Sequence, residues 1–123
     1  MIKGYVNKYD EPLIKVSIHL RKRTQVFNAV IDTGFNGYLS VPANIIDKTD
    51  WIYSGFEEYE LASGEFLNAD VFIGTITMGN EKNIPVYALS NHSKDILIGT
   101  KLLKNKFLGI NFKTNVVEVY ETE

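Results

Sequence analysis

The sequence predicts a mainly β fold with one or two short helices, on three observations. Apolar and polar residues alternate with period two through much of the chain. Turn-forming residues recur between the alternating runs, and only two short stretches have helical character.

The elements follow in order. Ile14, Val16, Ile18 and Leu20 alternate with Lys15, Ser17 and His19, the pattern of a half-buried strand. Arg21-Lys22-Arg23-Thr24 reads as a turn, and Val26 to Ile31 as the returning strand. That strand is apolar at nearly every position, so both of its faces should be covered, and it runs straight into Asp32-Thr33-Gly34. After Asn36-Gly37 comes a short strand, Tyr38 to Val41. Pro42 suits the first turn of a brief helix reaching about Lys48, because its φ is already helical.

Trp51 to Leu61 is aromatic-rich and extended, and the rings from Trp51 to Phe66 are expected in the core and at its rim, or lining substrate pockets. Ala62-Ser63-Gly64-Glu65 is a turn, Phe66 to Met78 a strand, and Gly79 to Asn83 a second turn. Ile84 to Leu89 is the next strand, and Pro85 marks it as an edge because proline donates no ladder hydrogen bond. A polar loop, Ser90 to Lys94, precedes the fully apolar strand Ile96-Leu97-Ile98-Gly99. Thr100 to Lys106 has helix formers, and a closing hairpin joins Phe107 to Phe112 with Val116 to Tyr120 through Lys113-Thr114-Asn115. With no linker, repeat or low-complexity segment, residues 1–123 read as a single domain.

Composition narrows the function. Hydrophobic residues make up 45% and charged residues 23%, as in an ordinary globular chain. A net charge of −2 gives no electrostatic reason to expect nucleic acid or an anionic membrane as partner. The chain has no cysteine, which excludes disulfides and thiolate catalysis. Met1 to Lys8 holds no apolar run of signal-peptide length and no stretch approaches membrane-spanning length, so a cytoplasmic location is expected. His19 and His92 lack metal-ligand spacing, and no HExxH, nucleophile elbow or phosphate-binding loop is present, so neither metal nor cofactor is expected. Arg21-Lys22-Arg23 has no aromatic platform beside it and reads as a solvated hairpin tip.

Asp32 carries the chemistry. A carboxylate at the end of a buried strand is costly unless hydrogen bonds or a special role stabilise it. Thr33 supplies a hydroxyl that can lock the loop, and Gly34 allows close backbone approach. An Asp-Thr/Ser-Gly tripeptide arises by chance in about one chain in twenty of this length at average composition. Here an apolar strand precedes it and Leu97-Ile98-Gly99 follows later, whereas a bare Asx turn would need neither. A two-carboxylate mechanism requires acids that share a proton, since like charges about 3 Å apart cannot both ionise. Asp10, Asp47, Asp50, Asp70 and Asp95 all lack the Thr/Ser-Gly context, so the second acid must come from a second chain.

Ala29-Val30-Ile31-Asp32-Thr33-Gly34, followed by Ile96-Leu97-Ile98-Gly99-Thr100-Lys101-Leu102-Leu103, resembles the retropepsin-like aspartic proteases. The resemblance implies a closed β-barrel or sandwich working as a two-fold homodimer. Asp32-Thr33-Gly34-Phe35 resembles in particular the small prokaryotic single-domain group with a DTGF motif. It implies that Asp32 is the catalytic acid, that Thr33 bonds its mate across the dimer axis, and that Gly34 lines the cleft. It further implies a flap at Ala62-Ser63-Gly64-Glu65 and a supporting strand at Leu97, Ile98 and Gly99, with terminal strands (Met1 to Lys8, Val116 to Tyr120) and flap tips as the dimer interface. The chain departs from the retroviral pattern at Asn36 and Thr100, which replace a paired Asp and Arg, and at Phe35, which replaces a small residue and should narrow or reshape the cleft.

The expected function is a homodimeric aspartic endopeptidase acting on an extended peptide or protein substrate. The alternative is a non-catalytic binding or dimerisation module that keeps the retropepsin-like fold. The intact Asp-Thr-Gly favours the first, because a module without catalysis has no chemical need for that acid.

Overall fold

The computed structural model describes residues 1–122, which form one ten-stranded sheet with two short helical turns. The strands are β1 (Ile2–Val6), β2 (Pro12–His19), β3 (Thr24–Ile31), β4 (Leu39–Pro42), β5 (Ile52–Glu60), β6 (Phe66–Met78), β7 (Glu81–Asn91), β8 (Ile96–Ile98), β9 (Lys106–Asn111) and β10 (Val116–Glu121). Helix α1 is Ala43–Ile46, and a 3₁₀ turn spans Thr100–Leu103. Among the described residues no helix is long and apolar enough to cross a membrane.

Six strands close on themselves. The order β6-β7-β4-β8-β3-β2 returns to β6 through the pairing of Ser17 with Thr77, giving a six-strand barrel. β3–β8 and β4–β7 are parallel and the other ladders antiparallel. Two arms leave the barrel: β5 alongside β6, and the series β1-β10-β9 beyond β2.

The period-two pattern puts the core where it was expected. Ile14, Val16 and Ile18 of β2, Leu39 and Val41 of β4, Val86 and Ala88 of β7, and Ile96 and Ile98 of β8 all point inward and are buried. Each fully buried aliphatic contributes about 1.5–3 kcal/mol of transfer free energy. Val117 and Val119 bury the same face of β10, which ties the C-terminal arm to this core.

Several expectations need correction. β3 is not covered on both faces throughout: its burial alternates until Ala29, and Val26 is 57% exposed. Only Ala29, Val30 and Ile31 are buried in succession, because β8 pairs with β3 over those three residues alone. The second helix shrinks to a single turn, since Asn105 adopts φ 63° and β9 begins at Lys106. The turn after Met78 is two residues, Gly79 and Asn80, because Met78 already pairs with Glu81. Pro85 sits where β7 is still an edge, as β4 joins that side only from Ala88 to Asn91. The aromatics of β5 are not core: none of its nine residues is buried. Trp51, just before it, does pack against the core. Arg21 belongs to the scaffold, donating from its guanidinium to the carbonyls of Asp47 and Thr49 just after α1.

Candidate active site

Asp32 is the first residue past β3, held by the strand that threads beside it. Its N–H donates to the Ile98 carbonyl at 2.9 Å, extending the β3–β8 ladder by one bond. Its carboxylate Oδ1 accepts the Gly34 N–H at 3.0 Å, and the Phe35 N–H donates to the Asp32 carbonyl at 3.1 Å. The turn is thereby closed twice, once by side chain and once by backbone. Asp32 is half-buried, while Thr33 and Gly34 are exposed.

The residues after β8 pin this loop from the other side. Gly99 donates to the Tyr38 carbonyl at 3.0 Å, Thr100 to that of Phe35 at 2.9 Å, and Lys101 to that of Gly37 at 3.1 Å. Main-chain bonds from Thr100 and Lys101 hold the two segments together. A Cβ on Gly99 would lie 2.0 Å from the Gly37 oxygen and 2.9 Å from the Phe35 ring. No larger residue fits without moving the loop. Leu97, Ile98 and Gly99 thus have separate tasks: Leu97 faces the acid's surroundings, Ile98 is core, and Gly99 permits the close approach.

Two depressions flank the loop. Asp32 and Thr33 open on a recess of about 400 Å³ walled by Pro12, Val30, Leu97 and Ile110. Asp10 and Glu11 stand at the same recess, with Glu11 Oε1 accepting from Asn7 Nδ2 at 3.0 Å. A groove of about 350 Å³ lies on the other side, lined by Phe35, Tyr38, Phe56, Val71, Tyr87 and Leu89, with Glu57 and Lys101 supplying charge. Tyr38 and Tyr87 have ring centroids 6.2 Å apart, and Lys101 Nζ lies 5.5 Å from the Tyr38 centroid. Such walls suit an apolar or aromatic side chain between one negative and one positive group.

Phe35 lines the groove and not the recess, so its ring and the Asp32 carboxylate face different depressions. The ring lies against Gly37 and Gly99, where added Cβ atoms would be 2.6 Å and 2.9 Å from it. It therefore helps to shape the groove. The structure does not join Ala62, Ser63, Gly64 and Glu65 to Asp32. They form the exposed tip of the β5–β6 hairpin, closed by Leu61 N–H to Glu65 O at 2.8 Å and Gly64 N–H to Leu61 O at 2.9 Å, with Gly64 at φ 88°. The base of that hairpin, at Ser54, Phe56 and Val71, contributes to the groove. A further depression, about 500 Å³ between α1 and the loop at Asn91–Lys94, contains none of these residues.

Tyr38 and Lys101 carry no site signal in the sequence, whereas Phe56 belongs to the aromatic stretch expected to supply core, rim or pocket walls. Tyr87 was not singled out either, yet it left a signal, being an aromatic at an outward position between buried Val86 and Ala88.

No family model matches the sequence, and no curated protein matches it. Among solved structures, it is similar to the crystal structure of a retropepsin-like aspartic protease from Rickettsia conorii. The two share 19% sequence identity and a TM-score of 0.62, over 96% of this chain and 89% of that one. With the closed barrel and the strand threading beside the Asp32 loop, this likeness identifies the fold as retropepsin-like.

Proposed function

We propose that this chain is an aspartic endopeptidase of the DTGF group, active as a homodimer in which each copy supplies one Asp32. The seating of Asp32 carries the reading: a half-buried acid at the end of β3, its carboxylate accepting the Gly34 N–H and its own N–H donating to the Ile98 carbonyl, beside an exposed Thr33. Among the described residues no second carboxylate hydrogen-bonds to it, which is the arrangement expected of half a site.

In the dimer, one Asp32 is ionised and the other protonated. The ionised acid takes a proton from a water molecule as the water oxygen bonds to the scissile carbonyl carbon. The protonated acid donates a hydrogen bond to the carbonyl oxygen, which gains the negative charge. Collapse breaks the C–N bond, and the proton passes to the departing nitrogen to give an amine and a carboxylic acid. The peptide lies extended, with side chains entering the Phe35–Tyr38–Tyr87 groove and the Gly64 hairpin closing over it.

The test is cleavage of a peptide library from acidic to neutral pH by wild type and Asp32→Asn. The variant should lose activity by about 10³-fold or more while keeping its fold and association. If both proteins are equally inert while the dimer is intact, the chain is a non-catalytic module.

A further inference from the structure

Four cationic side chains surround one depression of about 230 Å³ at the tip of the β2–β3 hairpin. Arg21, Lys22 and Arg23 come from the hairpin turn, Lys48 from the turn after α1, and Leu20 completes the wall. No carboxylate lines it. In the sequence the three neighbouring cations read as a solvated turn, but the fold adds a fourth from a separate segment and makes a concavity. Backbone bonds lock the two segments together. Arg21 N–H donates to the Lys48 carbonyl at 2.8 Å, and Leu20 N–H to the Arg23 carbonyl at 2.8 Å. The Arg21 guanidinium gives two of its five N–H donors to the carbonyls of Asp47 and Thr49. The fold therefore gathers four like charges that free segments would let drift apart. Asp47 and Asp50 flank Lys48 in sequence, yet neither pairs with it: among the described residues the ion pairs are those of Lys106 with Glu81 and Glu121. Arg23 donates from Nη2 to the neutral Oε1 of Gln25 at 3.0 Å. Like charges around a concavity repel one another and focus a positive field, here in a chain whose net charge is −2.

We propose that this depression binds a small anion bearing two phosphate groups, gripped by Lys22, Arg23 and Lys48 against the fixed guanidinium of Arg21. The number of groups follows from charge. A phosphate group carries about −1.5 to −2 near neutral pH, so one offsets two of the four cations and two offset all four. The planar arginine fork matches phosphate oxygens, and the lysines act as point charges. A free diphosphate and a phospholipid headgroup share this chemistry. Leu20 is the one apolar residue of the wall, too little to enter a bilayer, and that favours the free ion. The inference does not depend on the peptidase reading, because none of these residues belongs to the Asp32 recess or the Phe35 groove.

The test is a titration of the whole wild-type chain with sodium pyrophosphate at constant ionic strength, followed by calorimetry and by the amide shifts of isotope-labelled protein. Sulfate is the reference anion. Pyrophosphate should bind about tenfold or more tightly than sulfate, with the shifts gathered at Leu20 to Arg23 and at Lys48. Lys22→Ala and Lys48→Ala should each weaken binding by about two- to fivefold. Lys48→Arg should restore the wild-type affinity, and Lys113→Ala, on the β9–β10 turn, should leave it unchanged. Lys22, Lys48 and Lys113 are exposed, so these variants keep the fold, which circular dichroism verifies; Arg21 is left alone because it braces the scaffold. Three results overturn the proposal: pyrophosphate that binds no tighter than sulfate, shifts spread over the surface lysines, or Lys22 and Lys48 variants that bind like wild type. Binding to phosphatidic acid vesicles or to a duplex oligonucleotide without binding of free pyrophosphate overturns it too, and gives the patch to a charged surface instead of a small ion.

Discussion

The two arms that leave the barrel follow opposite plans. The C-terminal arm turns one face to the core, with Val117 at 0% and Val119 at 1% exposure. The β5–β6 arm turns neither face inward along β5, and Phe56, Phe66 and Tyr53 stand mostly in solvent. The first arm is held by burial and the second mainly by its hydrogen-bond ladder to β6, with Tyr53 set edge-on to Phe72 across the pair. That difference separates a fixed scaffold from a segment free to close on something, because local stability follows buried apolar contact.

The widest test of this contrast is a pair of truncations read by denaturant unfolding. Val119→Ala should cost about 1–3 kcal/mol, and Tyr59→Ala on the exposed arm about 0.5 kcal/mol or less. Equal costs would erase the distinction. A sharper and smaller effect comes from Gly55, which holds φ 110° in the β5 bulge with open space around it. Gly55→Ala meets no clash, so its cost is backbone strain of about 1–2 kcal/mol. Hydrogen exchange should rise along β5 and stay unchanged along β10.

The smallest effect tests how the C-terminal arm is pinned at Lys106. Hydrogen bonding to Lys106 holds the Glu81 carboxyl below its ordinary 4.5, against a smaller opposing effect of burial. Burial works to lower the Lys106 pKa, but its bonds to Glu81 and Glu121 outweigh that and raise it above 10.5. A lowered acid pKa contributes stability above the ordinary value and loses it as pH falls through the folded-state value. A raised lysine pKa contributes stability below 10.5 and loses it as pH rises through the folded-state value. Lys106→Met keeps the packed stem and should cost about 0–1 kcal/mol near neutrality. Thermal unfolding of the two proteins should converge once acid has protonated Glu81.

What the sequence made legible was local. The alternation of Ile14, Val16 and Ile18 is a property of adjacent residues, and so is the strand that delivers Asp32 to its loop. The site's remaining parts depend on distant residues. Phe35 rests on Gly99, and the groove draws Tyr38, Phe56 and Tyr87 from three separated segments. No periodicity within one strand encodes that meeting. β1 was not read as an inner strand of the arm because Gly4 and Lys3 dilute its five residues, and its place is set by pairing with β10 at the far end of the chain. The exposure of β5 escaped prediction for the opposite reason: its aromatic content reads as core, although the strand has no layer to pack against.

The parallel pairing of β3 with β8 has a consequence for synthesis. Ala29 and Ile96 are neighbours in space but lie 67 residues apart in sequence. The loop they close is long, so this ladder forms late and against a chain-entropy cost. A ribosome makes Asp32 first, and the carbonyl of Ile98 that seats it arrives 66 residues later. A nascent fragment therefore carries the acid without its mooring. Asp32 can be held in working geometry only once β8 has been made.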